Sequence, residues 1–133
     1  MGEIKVLNIF ELMPFENEMV VLNIAGKYLK QVLNLIIEKR HPFLGMQISN
    51  VKDKQNPVFT IGGKEIKHEK IYTVITSDYL FTGGDNFVFF KNAESAKITN
   101  IKIRDAIITY CDYITSINKK ITPYKDERLE LAK

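Results

Sequence analysis

Apolar residues recur every three to four positions in three parts of the chain, at residues 3–12, 27–39 and 101–117. This spacing places them on one face of a helix and leaves charged and polar residues on the other. Pro14 is expected to end the first helix, because proline cannot continue helical hydrogen bonding, and Thr99-Asn100 can cap the third. The predicted apolar faces include Val6, Ile9, Leu29, Val32, Leu33, Ile103, Ile107 and Ile114.

Between these helices, short runs of β-branched and aromatic residues predict strands. The clearest runs are residues 19–24 and 70–75, and a weaker one lies at 45–51. Residues 58–66 form a predicted hairpin, because Gly62-Gly63 divides two extended segments. The order of helices and strands lacks regular βαβ alternation, which favours an α+β fold.

The remaining segments complete a single layered domain with mixed strands. Residues 88–90 are expected to form a short buried run and residues 91–97 a polar loop. The strands are predicted to layer around two main helices, at 27–39 and near 103–117.

Composition agrees with one globular domain covering residues 1–133. Apolar residues make up 45% of the chain and charged residues 26%, which is ordinary for a globular protein. The net charge is only +3 and the lysines are scattered, so nucleic acid is not an indicated partner. No apolar run is long enough for a membrane span, and residues 1–5 lack the apolar core of a secretory signal.

Cysteine and histidine do not suggest a metal site or a disulfide. Cys111 is the only cysteine and lies in a helical pattern, so it is expected to fill the core. His41 and His68 have no cysteine or histidine at ligand spacing. His41 precedes Pro42 and is expected to mark the end of the second helix.

The richest candidate chemistry lies where an apolar strand meets Gly83-Gly84-Asp85. Glycine permits a tight turn and close backbone approach to a ligand. Tyr79 offers a flat ring and Asp85 a carboxylate, which together suit a nucleoside, with the ring stacking on a base and the acid binding ribose. From these residues alone the alternative stays open, in which Tyr79 is buried beside a turn and Asp85 caps the next segment.

Catalysis by this chain alone is not expected. Gly83-Gly84-Asp85-Asn86-Phe87 invites comparison with cyclic-dinucleotide synthases, but those enzymes need an acid where Asn86 stands. No phosphate-binding Walker loop is present, and Gly62-Gly63 is better explained as a hairpin turn. Thr76 and Ser77 have no adjacent histidine to act as a base.

Several short motifs, in this order and at these spacings, resemble the C-terminal domain of the 5′-nucleotidase family over nearly the whole chain. Singly, each motif is weak. They are Gly2-Glu3-Ile4, Leu12-Met13-Pro14-Phe15-Glu16-Asn17, Ser77-Asp78-Tyr79-Leu80, Gly83-Gly84-Asp85 and Asp126-Glu127-Arg128-Leu129.

The resemblance implies a nucleotide site. By motif position, Phe15 and Tyr79 would sandwich the base and Asp85 would bind the ribose, beside Gly83 and Gly84. The family usually has phenylalanine where this chain has Tyr79, so the stacking face is kept and a hydroxyl is added. Without the resemblance, Phe15 would be assigned to packing at the start of the following strand.

The resemblance also implies what this chain would not supply. In the family, a separate N-terminal domain with two divalent metal ions cleaves the phosphate, so no catalytic residue, metal or cofactor is expected here. A substrate-binding segment of the form Asn-x-Gly-x-Ile-Arg would precede Glu3, and the chain is therefore expected to be the distal part of such an enzyme. Self-association or marginal stability would follow from apolar surface that this part leaves uncovered. Family members are commonly extracytoplasmic.

The expected partners are a nucleotide or nucleoside and the metallophosphatase domain. The alternative is a stand-alone module that binds a nucleoside or a protein partner and has no catalytic activity.

Overall fold

The computed structural model describes residues 2–50 and 57–122, so the motif at residues 126–129 lies outside the described part. It confirms an α+β domain. The helices are α1 (Val6–Leu12), α2 (Gly26–Lys39), α3 (Asp78–Phe81) and α4 (Ile103–Ser116), with 3₁₀ turns at Gly84–Asn86 and Val88–Asn92. The strands are β1 (Glu18–Ala25), β2 (Gln47–Ser49), β3 (Val58–Ile61), β4 (Lys64–Glu65), β5 (Ile71–Ser77) and β6 (Ser95–Lys102).

The main sheet has β1 at its centre, between β5 and β6, and all pairs are antiparallel. Met19 pairs with Ser77, so the start of β1 lies beside the end of β5. A smaller antiparallel sheet contains β2, β3 and β4. The register of β1 and β5 thus brings the segment before β1 and the segment after β5 to the same end of the main sheet.

The core lies between α2 and the main sheet. Leu22 and Ile24 of β1 pack in one cluster with Leu29 and Leu33 of α2, and these four side chains are almost fully buried. Gly26 is the first residue of α2. A Cβ at this position would lie 2.0 Å from the carbonyl oxygen of Lys67, so the close approach requires glycine. The cluster continues through the smaller sheet and the 3₁₀ turns, with Ile48, Phe59, Ile66, Phe87 and Phe90.

The predictions of a polar loop at residues 91–97 and of a helix cap at Thr99-Asn100 are wrong for residues 95–102. These residues form β6, and Thr99 donates a 2.8 Å hydrogen bond from Oγ1 to the carbonyl of Met19 instead of capping α4. Helix α4 begins later, at Ile103. The error has a physical cause, because a largely solvent-exposed edge strand is held by backbone pairing and needs no apolar alternation.

Helix α4 is peripheral to the core. Its one buried residue is Arg104, and Cys111 is only partly buried, so the expectation that Cys111 fills the core is not met. Tyr110 and Tyr113 are exposed. The predicted buried run at residues 88–90 is also only partly correct, because Phe90 is buried whereas Val88 is exposed. Within the described residues, no helix has the length and apolar character needed to cross a bilayer.

Candidate functional site

Tyr79 lies in the single turn of α3, directly after β5. Ser77 begins this turn, and its Oγ accepts a 3.1 Å hydrogen bond from the backbone N–H of Leu80, which is an N-cap. Thr82 closes the turn by donating from Oγ1 to the carbonyl oxygens of Asp78 and Tyr79. Tyr79 is 50% exposed, so it is accessible to a ligand and is not the buried tyrosine of the alternative interpretation.

The two glycines form the turn that supports this ring. Gly83 has φ +102°, a conformation that favours glycine. At Gly84, an added Cβ would lie 2.6 Å from Cε1 and Cζ of Tyr79. Asp85 and Asn86 follow in the left-handed region, with φ of 51° and 64°, which aspartate and asparagine tolerate better than most residues. The glycine pair therefore lets the loop pass directly against Tyr79.

The carboxylate of Asp85 has a protein contact at each oxygen. Tyr79 donates from its hydroxyl to Oδ1 at 3.0 Å, and His41 Nε2 lies 3.5 Å from Oδ2. The Asp85 side chain remains 45% exposed. The tyrosine hydroxyl, which is the departure from the family pattern, thus has a partner within the site itself.

His41 is a residue that sequence reasoning missed at this site, since it was assigned only to the end of α2. Arg40 ends that helix in a left-handed conformation, and the His41 backbone N–H donates to the carbonyl of Ile36 at 3.2 Å. The imidazole meets the Phe87 ring edge-on, with 5.1 Å between ring centres. No local pattern around His41 signals its closeness to Asp85, which depends on the tertiary fold.

Phe15 lies in the loop between α1 and β1 and is 66% exposed. Most of this residue is therefore exposed, which does not favour the alternative in which Phe15 packs at the start of the following strand. Nearby, Asn17 donates from Nδ2 to Oδ1 of Asp78 at 2.8 Å. This bond joins the Phe15 loop to α3, next to Tyr79. That hydrogen bond is the largest cause of the lowered pKa of the Asp78 carboxyl.

Glu16 provides a second attachment for the Phe15 loop. Its carboxylate accepts hydrogen bonds from Lys102 Nζ and Arg104 Nη2. The bond from Lys102, followed by that from Arg104, lowers the pKa of Glu16, and the same contact raises the pKa of Lys102. Arg104 is 8% exposed, and its guanidinium carbon lies 4.1 Å from the centre of the Phe10 ring. The charges at the start of α4 therefore anchor the Phe15 loop.

The structure brings Tyr79, Gly83, Gly84 and Asp85 together and places Phe15 in a loop tied to the same helix. Their binding of a nucleotide stays a prediction. Across residues 2–50 and 57–122, no three histidine, cysteine, aspartate or glutamate side chains are grouped so that they could hold a metal ion.

The family model for the C-terminal domain of 5′-nucleotidases matches residues 1–92. The chain belongs to this family. The matched segment of this 5′-nucleotidase C-terminal domain contains all five predicted site residues. Strand β6 and helix α4 lie beyond it.

Solved structures of 5′-nucleotidases share the fold of this domain. The 5′-nucleotidase precursor from Thermus thermophilus aligns with a TM-score of 0.75 and 18% identity, over 94% of this chain and 27% of that one. The NAD nucleotidase of Haemophilus influenzae aligns with a TM-score of 0.66 and 19% identity, over 80% and 24%. A putative 5′-nucleotidase from Staphylococcus aureus, in complex with alpha-ketoglutarate, aligns with a TM-score of 0.62 and 16% identity, over 79% and 26%.

The chain spans about a quarter of the length of these solved structures. Among curated protein sequences, none matches the chain significantly.

Proposed function

We propose that this 5′-nucleotidase C-terminal domain binds a nucleotide and positions it for hydrolysis of the 5′-phosphate by a separate domain. Phe15 and Tyr79 stack on the two faces of the base. Asp85 accepts hydrogen bonds from the ribose, and the loop of Gly83 and Gly84 supports Tyr79. Membership of the family is the first support for this role.

The observation that carries the proposal is the contact between Tyr79 and Asp85. A half-exposed ring and a half-exposed carboxylate are fixed 3.0 Å apart, hydroxyl to oxygen, within one short segment. A ring for the base and an acid for the sugar are the two groups that a nucleoside requires, and here they are already oriented. Such pre-organisation lowers the entropic cost of binding.

The chemistry of cleavage is assigned to the separate domain. Two divalent metal ions held there would supply an activated water for attack on the phosphate. The residues of the present domain bind and orient the nucleotide, and correct orientation alone can account for a large part of a rate enhancement. NAD nucleotidase is one of the proteins with this fold, so both mononucleotides and dinucleotides are suitable ligands to test.

Calorimetric titration of adenosine and AMP into the purified chain tests the proposal. We expect weak binding that Tyr79→Ala and Asp85→Asn each reduce. Loss of one stacked base contact is worth about 1–3 kcal/mol in nucleic-acid sites, which corresponds to roughly 5- to 150-fold in affinity.

Matched controls come from α4, where Tyr113 is 57% exposed and Asp112 is exposed. Tyr113→Ala and Asp112→Asn are expected to bind as the wild type does. A protein that is folded by circular dichroism but does not bind either ligand at millimolar concentration would contradict the proposal. That result would favour the alternative of a module that binds a protein partner.

A further inference from the structure

We propose that His41 is a positioning residue for Asp85 and that it makes the site selective for ribonucleosides with both the 2′- and 3′-hydroxyls. The inference rests on the proposed function, because it assumes that Asp85 faces the sugar. It goes further by assigning a role to a residue at the end of α2 and by requiring both hydroxyl groups of the ribose.

The first step concerns the hydrogen-bonding capacity of the carboxylate. An ionised carboxylate has about four acceptor positions, two on each oxygen. The Tyr79 hydroxyl occupies one position on Oδ1, and His41 Nε2 faces Oδ2 at 3.5 Å. One position on each oxygen is left for a ligand. Two adjacent hydroxyl groups of one sugar can donate to these two positions, one to each oxygen.

The second step concerns the orientation of the carboxylate plane. A contact to Oδ1 alone leaves the group free to rotate about its bond to Cβ, and the Asp85 side chain is 45% exposed. A second contact, on Oδ2, restricts this rotation. Ordering before the ligand arrives lowers the cost of binding.

The third step concerns the rigidity of His41 itself. Its imidazole meets Phe87 at 86°, and Phe87 is 1% exposed and stacks on Phe90 with ring centres 5.9 Å apart. The His41 side chain is 28% exposed, less than that of Asp85. Its backbone is fixed at the end of α2 by the hydrogen bond to Ile36. The imidazole therefore packs directly against a core residue, whereas Asp85 lies on a loop.

The experiment compares adenosine with 2′-deoxyadenosine, 3′-deoxyadenosine and 2′,3′-dideoxyadenosine, each titrated into wild type, His41→Phe and His41→Gln. Phenylalanine keeps the ring against Phe87 and removes Nε2, whereas the glutamine amide can donate a hydrogen bond from a similar place. We expect His41→Phe to bind adenosine about two- to fivefold more weakly, the size of one partly exposed polar contact to a charged group. Its affinity for dideoxyadenosine should match that of the wild type, and His41→Gln should restore affinity for adenosine.

His68→Phe is the matched control, since His68 is exposed in the turn before β5 and its backbone carbonyl accepts a hydrogen bond from Lys27 of α2. Urea denaturation of each variant confirms that it is folded. Equal loss of adenosine and dideoxyadenosine binding in His41→Phe would overturn the inference, as would adenosine binding equal to that of the wild type. If Asp85→Asn weakens adenosine binding while His41→Phe does not, the role of His41 fails and the proposed function stands. If wild type binds no adenosine, both fail.

Discussion

The side-chain amide of Asn17 donates a 2.8 Å hydrogen bond to the carboxylate of Asp78, across 61 positions of sequence. Asn17 lies at the end of the Phe15 loop, just before β1, and Asp78 begins the helical turn that carries Tyr79. Oδ1 of Asp78 also accepts the backbone N–H of Tyr79 at 2.7 Å. This single oxygen therefore connects the segments of both candidate stacking residues.

Replacing Asn17 by alanine should destabilise the domain and weaken nucleotide binding together. The substitution removes a hydrogen bond to a charged group that is partly solvent-exposed, so we expect a loss of about 1–2 kcal/mol in the free energy of unfolding. Urea denaturation measures this loss, and calorimetry with adenosine measures binding. Asn34→Ala, at an exposed position on α2, is the control and should not lower stability. Unchanged adenosine affinity in a destabilised Asn17→Ala protein would show that this bond does not organise the site.

Gly84→Ala should displace Tyr79. The new Cβ would lie 2.6 Å from two ring carbons and from the backbone oxygen of Tyr79, and the backbone cannot yield as a flexible side chain does. We expect a loss of about 1–3 kcal/mol in stability, as for other overpacked sites, together with loss of adenosine binding. Gly2→Ala, where an added Cβ meets nothing within 4 Å, should be neutral. Wild-type affinity in Gly84→Ala would mean that the ring can move without consequence.

Acid should weaken the anchor between Glu16 and α4. The pKa of Glu16 is lower in the folded chain than its ordinary value of 4.5. The stabilisation is therefore present above the unfolded-state pKa and is lost as the pH falls through the folded-state pKa. In urea denaturation between about pH 6 and pH 2.5, Glu16→Gln should show a shallower decline in stability than wild type. Glu38→Gln, at an exposed position on α2, should follow the wild-type profile.

Arg104 should matter more to stability than Lys102, although both contact Glu16. Arg104 is buried and packs its guanidinium on Phe10, whereas the Lys102 side chain is 40% exposed. Arg104→Ala removes packing as well as charge, so we expect a loss of about 2 kcal/mol. Lys102→Ala should cost clearly less. Thermal unfolding followed by circular dichroism ranks the two, and the reverse order would show that the ion pair outweighs the packing.

The domain should self-associate through α1. Val6, Leu7, Phe10 and Leu12 all lie on this seven-residue helix and are all exposed. Such a concentration of apolar surface favours contact with another apolar surface. Sedimentation velocity should show an average mass that rises with protein concentration, and Leu7→Glu should suppress the rise. Leu44→Glu, at a similarly exposed position between α2 and β2, should not. A wild-type protein that stays monomeric throughout contradicts this expectation.

The sequence was informative where a local pattern dictates the structure. The apolar stripe of α2 and the β-branched runs of β1 and β5 were predicted within a few residues, because one face of each packs against the core. The turn at Gly83-Gly84 was also predictable, since the chain there needs φ values and spacing that glycine supplies. The closeness of Tyr79 and Asp85 followed from their short separation in the chain.

The rest depended on contacts between distant segments. Strand β6 has a mostly exposed, polar sequence, and only its pairing with β1 reveals it. His41 contacts Asp85 from the end of α2, and Glu16 contacts Arg104, which lies 88 positions later in the sequence. In each pair the two residues are far apart in the sequence, so no local pattern links them. Side-chain pairs of this kind become visible only when the fold is known.

The pairing of Met19 with Ser77 has a consequence for how this domain can change during evolution. Phe15 lies just before one strand of the pair and Tyr79 just after the other, so the register of the two strands determines their separation more than residue identity does. A slip by one residue would turn each side chain to the opposite face, and a shift by two would displace it by about 7 Å along the strand. Substitutions within the sheet leave that spacing intact. Proteins of only 16–19% identity share this fold, whereas a short insertion or deletion that shifts β1 against β5 would change the distance between Phe15 and Tyr79.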